Sequence, residues 1–170
     1  MTNQHWIYET DSDNFCRYSL GYCCKTPLLC VGVNPSTATP EKLDPTIRSV
    51  ARIAHYDGWI MINLYPQRAT KPNDMDSIIN DSICKQNLFV INSILNKYEI
   101  TEIWAAWGTL IAKRPYLKKC LSDIYSITSN YKWITFGPSS KAGHPHHPLY
   151  LSSNAPKKVF DLASYISQLK

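Results

Sequence analysis

A chain of 170 residues with a net charge of +5, 44% apolar and 12% aromatic residues is long enough to bury roughly 70% of its unfolded surface around one core. No apolar run approaches the ~18 residues of a membrane-spanning helix and no secretory leader opens the chain, so the expectation is a single cytoplasmic domain over 1–170 with no membrane partner. Six cysteines, at 16, 23, 24, 30, 84 and 120, include no CxxC pair and read as buried thiols rather than as disulfides or a metal cluster. The basic, aromatic-rich balance suits a polyanion such as nucleic acid, and suits many other proteins as well.

Residues 1–14 are polar and read as a loop-like lead, and 15–22 as a short strand or edge segment. Residues 28–33, apolar apart from Gly32, read as a fully buried strand that breaks abruptly into Asn34-Pro35-Ser36. Proline keeps the residue before it out of helical geometry, which holds Asn34 extended at the carboxyl end of that strand. Asp44 as N-cap and Pro45 at the first helical position start a helix with Ile47, Val50, Ile53 and Ala54 at helical spacing, ended by Gly58. A second buried strand, 59–64, runs into a polar loop, 66–74, that carries Gln67, Arg68 and Lys71. A long amphipathic helix over 78–98, a strand over 100–107 closed by Gly108, and a helix over 110–124 bent or restarted at Pro115 follow. A strand over 133–136, a Gly-, Pro-, Ser- and His-rich loop over 137–153 and a closing helix over 156–169 complete the chain.

Strands alternating with helices predict a three-layer α/β/α domain with a short, mainly parallel central sheet. In such a sheet the strand ends at 32–36, 61–64, 104–108 and the loop at 143–151 emerge at one edge, where open α/β sheets bind ligands.

The chain is identified as a member of domain-of-unknown-function family 1643 by its NPS segment at 34–36, its DPTIR helix start at 44–48 and its HPLYL ending at 147–151. More remotely, GVNPS, IMIN, AAWG and HPHHPL stand in the order in which the uracil-DNA glycosylase superfamily carries its water-binding loop, its base-reading LLLN strand end, its LLWG strand end and its HPSPLS loop. That resemblance implies a monofunctional DNA glycosylase that flips a base out of DNA and excises it, leaving an abasic site, without metal or cofactor. It also assigns roles. Asn34, flanked by Gly32, Val33 and Pro35, orients a water, since an amide cannot act as a general base. Asn63 reads the flipped pyrimidine. His144 or His147 donates to the base carbonyl, the loop having one residue inserted relative to the superfamily pattern. Leu149 and Tyr150 stand where the wedge filling the vacated stack belongs, and Trp107 borders the pocket. Arg48, Arg68, Lys71 and Lys141, with Arg52, Arg114, Lys157 and Lys158, are candidates for DNA phosphates.

Each role has a plainer reading. Asn34 caps a turn; Asn63 bridges two loops; the histidines hold their own loop or contact phosphate; Trp104 and Trp107 are core; the basic residues form a solvated face. In strict uracil enzymes a tyrosine follows the motif's proline and packs against C5 of the base. Ser36 stands there in this chain, with Thr37, Thr39 and Gln67 nearby, which implies room for a C5 substituent such as that of glucosylated hydroxymethylcytosine in hypermodified phage DNA, and a setting in phage defence. The alternatives are a non-catalytic nucleic-acid-binding module and a hydrolase of small nucleosides.

Overall fold

The computed structural model describes residues 3–170. The chain runs β1 (His5–Thr10), β2 (Arg17–Cys23), β3 (Leu28–Gly32), α1 (Pro45–Ile53), β4 (Gly58–Asn63), α2 (Asp81–Lys97), β5 (Glu102–Ala105), α3 (Tyr116–Thr128), β6 (Lys132–Phe136), β7 (Lys157–Val159) and α4 (Leu162–Gln168), with 3-10 turns at Pro72–Asp74, Gly108–Lys113 and Pro148–Tyr150. All seven strands form one sheet in the order β1-β2-β4-β3-β5-β6-β7. β4, β3, β5 and β6 are parallel, whereas β1, β2 and β7 join antiparallel. The result is an α/β protein with a mixed sheet, wider and less parallel than the expected short, mainly parallel one.

β3 sits at the centre because all five of its residues are buried, and its alternate side chains feed two cores. Leu29 and Val31 join the cluster under α2, α3 and α4; Leu28 and Cys30 join the one under α1. α1 begins as read, with the Asp44 carboxylate accepting from the Ile47 amide and Pro45 just inside. It ends at Ile53 with Ala54 as its cap, and Gly58 opens β4 instead of stopping the helix. α2 is capped by Asn80, and Pro115 restarts the chain into α3 after a 3-10 stretch. All six cysteines are buried thiols, and no helix among the described residues is long and apolar enough to cross a membrane.

Three readings are corrected. The lead contains β1; its first two residues lie outside the described part of the chain. Every β1 side chain but Ile7 and Thr10 is exposed, so the strand carries no apolar alternation and is held by its ladder to β2. β2 is interior, between β1 and β4, not an edge. The first turns of the expected closing helix are β7, because the cap that starts α4 is Asp161, whose carboxylate accepts from the Ser164 amide.

Glu102, nearly buried at the amino end of β5, ties several elements together. It accepts from the Tyr56 hydroxyl and pairs with Lys132 at 2.7 Å and Lys157 at 2.9 Å. Burial pushes its carboxyl up, but the two ammonium groups and the tyrosine outweigh this and hold it down at about 2.

Candidate active site at the strand ends

The order of the parallel strands sets the order of the motifs along the carboxyl edge: Asn63 on β4, Gly32 and Asn34 on β3, Gly108 after β5, and the histidine loop after β6. Beyond β4 the same edge carries the end of β1 and the start of β2, which adds Tyr8, Asn14 and Arg17, none of them singled out in the sequence. The segments after β3 and β4 stay zipped past the sheet, with Leu64 donating to Gly32 at 2.8 Å, Tyr65 to Val33 at 2.9 Å and Ala69 to Pro35 at 2.9 Å. Val33 and Pro35 are accordingly buried as part of this frame.

Asn34 is half-buried. Its amide nitrogen donates to the Pro35 and Ala69 carbonyls, both at 2.9 Å, so both amide hydrogens are spent on clamping the two loops and Oδ1 is the end left to accept from a ligand or water. The loop-capping reading of Asn34 is therefore satisfied, and it leaves an acceptor over.

Asn63 behaves differently. It is only 2% exposed, and its amide nitrogen has no partner. What bridges here is its main-chain carbonyl, which accepts from Asn87 of α2 at 2.9 Å. Its Oδ1 lies over Gly32, where a Cβ would come within 2.8 Å of it and 2.6 Å of the Met61 methyl; only glycine lets the Asn63 side chain lie there. A buried amide with unmet donors costs about 1–3 kcal/mol, and almost all such groups in folded proteins find a partner. Asn87 itself was legible: it interrupts the apolar stripe Cys84, Ile91, Ile94 of α2 with a polar residue that is 2% exposed.

The histidines occupy the other end of the edge. Gly108 takes a positive φ of 60°, and a Cβ on it would come within 2.9 Å of the His147 Cβ, so the loop packs directly on the end of β5. His147 Nδ1 accepts from the Leu149 amide at 3.2 Å, and in the neutral ring this puts the proton on Nε2. His144 Nδ1 meets the Tyr165 hydroxyl at 2.8 Å. That hydroxyl accepts from the Trp107 indole at 3.1 Å; when its own proton goes to His144 Nδ1, Nε2 is again the imidazole donor. Trp107 is fully buried against Trp133, Phe160 and Tyr165. It is core, the plainer of its readings, and props Tyr165. Tyr165, pushed up to about 12 by burial, gave no sequence signal. His146 directs Nδ1 to the His147 carbonyl at 2.9 Å.

Burial lowers the His144 pKa; burial and then the neighbouring His146 lower that of His147, with Asp44 opposing. Both rings are thus neutral donors at neutral pH. A histidine whose folded pKa lies below its unfolded value of 6.5 contributes stability that is full above 6.5 and lost as the pH falls further. The melting temperature is expected to fall between about pH 7 and pH 5, and to fall less in His147→Gln. An equal fall in the variant counts against this origin.

Two cavities open among the loops of this edge. A cleft of about 550 Å³ is lined by His144, His146, His147, Leu149, Gly108 and Tyr150, the last 80% exposed, as a wedge needs. A hollow of about 300 Å³ on the other side is lined by Asn14, Ser36, Thr37, Thr39, Arg68 and Thr70. Neither lining includes Asn34 or Asn63, which stand between them in strand order. Gln67 does not reach the hollow's lining; it is buried, and its Oε1 accepts from the Asp76 amide at 2.6 Å.

The basic residues divide. Arg68 donates to the Ser36 and Ala38 carbonyls, to Asn14 and to the Tyr8 hydroxyl, and so builds the loop. Arg52 is committed to Ser153 and the Leu151 carbonyl, Arg114 to the carbonyls of Asn73, Met75 and Asp76, and Lys157 to Glu102. Arg48, Lys71, Lys141 and Lys158 are exposed; among the described residues the Arg48 side chain bonds to the Leu43 carbonyl and the three lysine side chains make no hydrogen bond. Among the described residues no three His, Cys, Asp or Glu side chains group as a metal ion requires.

A family model described as a protein of unknown function, DUF1643, matches residues 17–149. No curated protein and no solved structure matches the chain.

Proposed function

The chain belongs to the DUF1643 family, whose function is unknown, and from the residues at its strand ends we propose that it is a DNA glycosylase of the uracil-DNA glycosylase type. We take its fold as the three-layer α/β/α arrangement of those enzymes, flanked by β1, β2 and β7. The observation that carries the reading is the Asn63 amide: a donor buried at a strand end with no protein partner, beside a glycine that gives it room. A flipped pyrimidine supplies the missing acceptor through its ring carbonyl or nitrogen.

The chemistry follows from what the other groups can do. The C1′–N bond breaks with its electron pair passing to the base, and the neutral Nε2–H of His144 or His147 donates to the base oxygen where negative charge develops. Water adds to C1′ and releases its proton to solvent; the Asn34 Oδ1 accepts a hydrogen bond from that water and orients it without acting as a base. The product is an abasic site. Ser36 leaves space at C5, and the substrate we favour is a C5-substituted pyrimidine such as the glucosylated hydroxymethylcytosine of phage DNA, in a cytoplasmic defence setting.

Incubation with DNAs carrying uracil, 5-hydroxymethyl or glucosylated pyrimidines, followed by alkaline cleavage, tests this. Strand breaks at the modified base support it, and intact strands from every substrate refute it. Affinity for DNA is expected to fall with salt with a log–log slope of about −2.7, from phosphate contacts of the exposed Arg48, Lys71 and Lys141, or about 40-fold between about 50 and 200 mM. A flat profile points instead to a hydrolase of small nucleosides.

A further inference from the structure

Arg17, the first residue of β2, is 2% exposed, yet among the described residues no carboxylate stands within ion-pair distance. Among the described residues its guanidinium makes one hydrogen bond, from Nη1 to the Ala38 carbonyl at 3.2 Å, and its Nε is buried with no partner there. The Arg68 guanidinium converges on the same Ala38 carbonyl at 3.5 Å, so two like charges face one neutral acceptor. Asp44 is the carboxylate whose charge favours the Arg17 cation, and it is occupied as the cap of α1. Buried charges in proteins are ordinarily paired, and an isolated one is expensive. Burial and the neighbouring Arg68 accordingly lower the Arg17 pKa to about 10.

Arg68 lines the 300 Å³ hollow together with the hydroxyls of Thr37, Thr39 and Thr70; Arg17 lies outside the lining and is joined to it through the Ala38 carbonyl that both arginines share. A cation pair without counter-charge next to a cup of hydroxyl donors is built for a compact anion with several acceptor oxygens. We propose that the hollow formed by the 36–39 and 68–70 segments over Arg17 and Arg68 is a phosphate seat. Phosphate supplies the charge that the arginines lack and accepts from the hydroxyl groups around it. The neutral sugar of a C5 substituent supplies no such charge, so Thr37 and Thr39 belong to the phosphate and Ser36 alone to the base. The phosphate comes either from a DNA backbone or from a free phosphate or mononucleotide. The seat does not depend on the glycosylase reading.

The test is thermal melting of the intact protein in inorganic phosphate against chloride at equal ionic strength. At phosphate about tenfold above its dissociation constant, the wild-type melting temperature rises by about 4 °C. Arg17→Met removes the buried charge in nearly the same volume; it melts no lower than wild type in chloride and shows no rise in phosphate. Thr37→Val, at an exposed position that does not bear on folding, halves the rise or more. No rise in the wild type, or an undiminished rise in both variants, overturns the seat. Oligonucleotides in which single linkages are made neutral methylphosphonates identify the source. A tenfold loss at one linkage in wild type but not in Thr37→Val assigns a backbone phosphate; no loss at any linkage, with protection by a nucleoside monophosphate, assigns the seat to free phosphate groups.

Discussion

Asn63→Ala is expected to lower base release by about 100- to 1,000-fold while moving the melting temperature by no more than about 3 °C. The amide makes no hydrogen bond within the protein, so its removal breaks none; the bond from Asn87 goes to the main-chain carbonyl, which alanine keeps. The small void left by truncation is offset by relief of the buried unpaired donor, a cost of about 1–3 kcal/mol. Asn34→Ala makes the contrast. It forfeits two bonds to the Pro35 and Ala69 carbonyls, worth about 1 kcal/mol each, so it loses activity and loop stability together. An alkaline-cleavage assay beside a melting curve for both variants separates the two. Full activity of Asn63→Ala, or its collapse on heating with no other change, removes the base-reading role.

Release of a bulky C5-substituted pyrimidine is expected to exceed release of uracil, and Ser36→Tyr to reverse that preference by about 100-fold or more. The loop tolerates this substitution because its shape does not depend on the Ser36 side chain, whose hydroxyl makes a single bond to Thr70 at 3.3 Å. The backbone is fixed instead by Arg68, which holds the Ser36 and Ala38 carbonyls, and by the Pro35 and Ala69 ladder. A tyrosine ring at a half-buried position then fills volume without pulling the loop away. Parallel single-turnover rates on uracil, 5-hydroxymethyl and glucosylated DNA, for wild type and variant, decide it. If uracil is the better substrate of the wild type, or if the bulky base is released equally by Ser36→Tyr, the pocket is not open at C5.

The parallel half of the sheet was legible because the apolar runs 28–33 and 59–64 are short, carry no helical period and lead into Pro-containing polar loops, as buried strands do. The antiparallel additions were not. His5–Thr10 exposes nearly all its side chains, and Lys157–Val159 reads as the polar first turn of a helix; both are fixed by main-chain pairing, which leaves no mark on hydropathy. The site divides in the same way. Asn34, Asn63 and the histidines announce themselves as polar residues where a strand stops, whereas Arg17 and Tyr165 gain their significance from partners brought in by distant segments. A charge inside a strand, as at Arg17, was nevertheless a readable anomaly. Arg68 and Trp107 were noticed for their chemistry, but their bonds are internal, which a sequence does not reveal.

The interleaved order of the strands also bears on synthesis of the protein. Asn63 and Asn34 come early in the chain, but the imidazoles at the other end of the edge come from the loop around His144 and His147, which is seated by Gly108 and propped by Tyr165 of α4. A chain emerging from the ribosome therefore holds the amides long before the groups that complete the edge, and the parallel pairing of β3 with β5 and of β5 with β6 closes only over long separations, a slow step. A copy interrupted before the loop around His144 and His147 therefore carries the amides of Asn34 and Asn63 without the imidazoles of the same sheet edge.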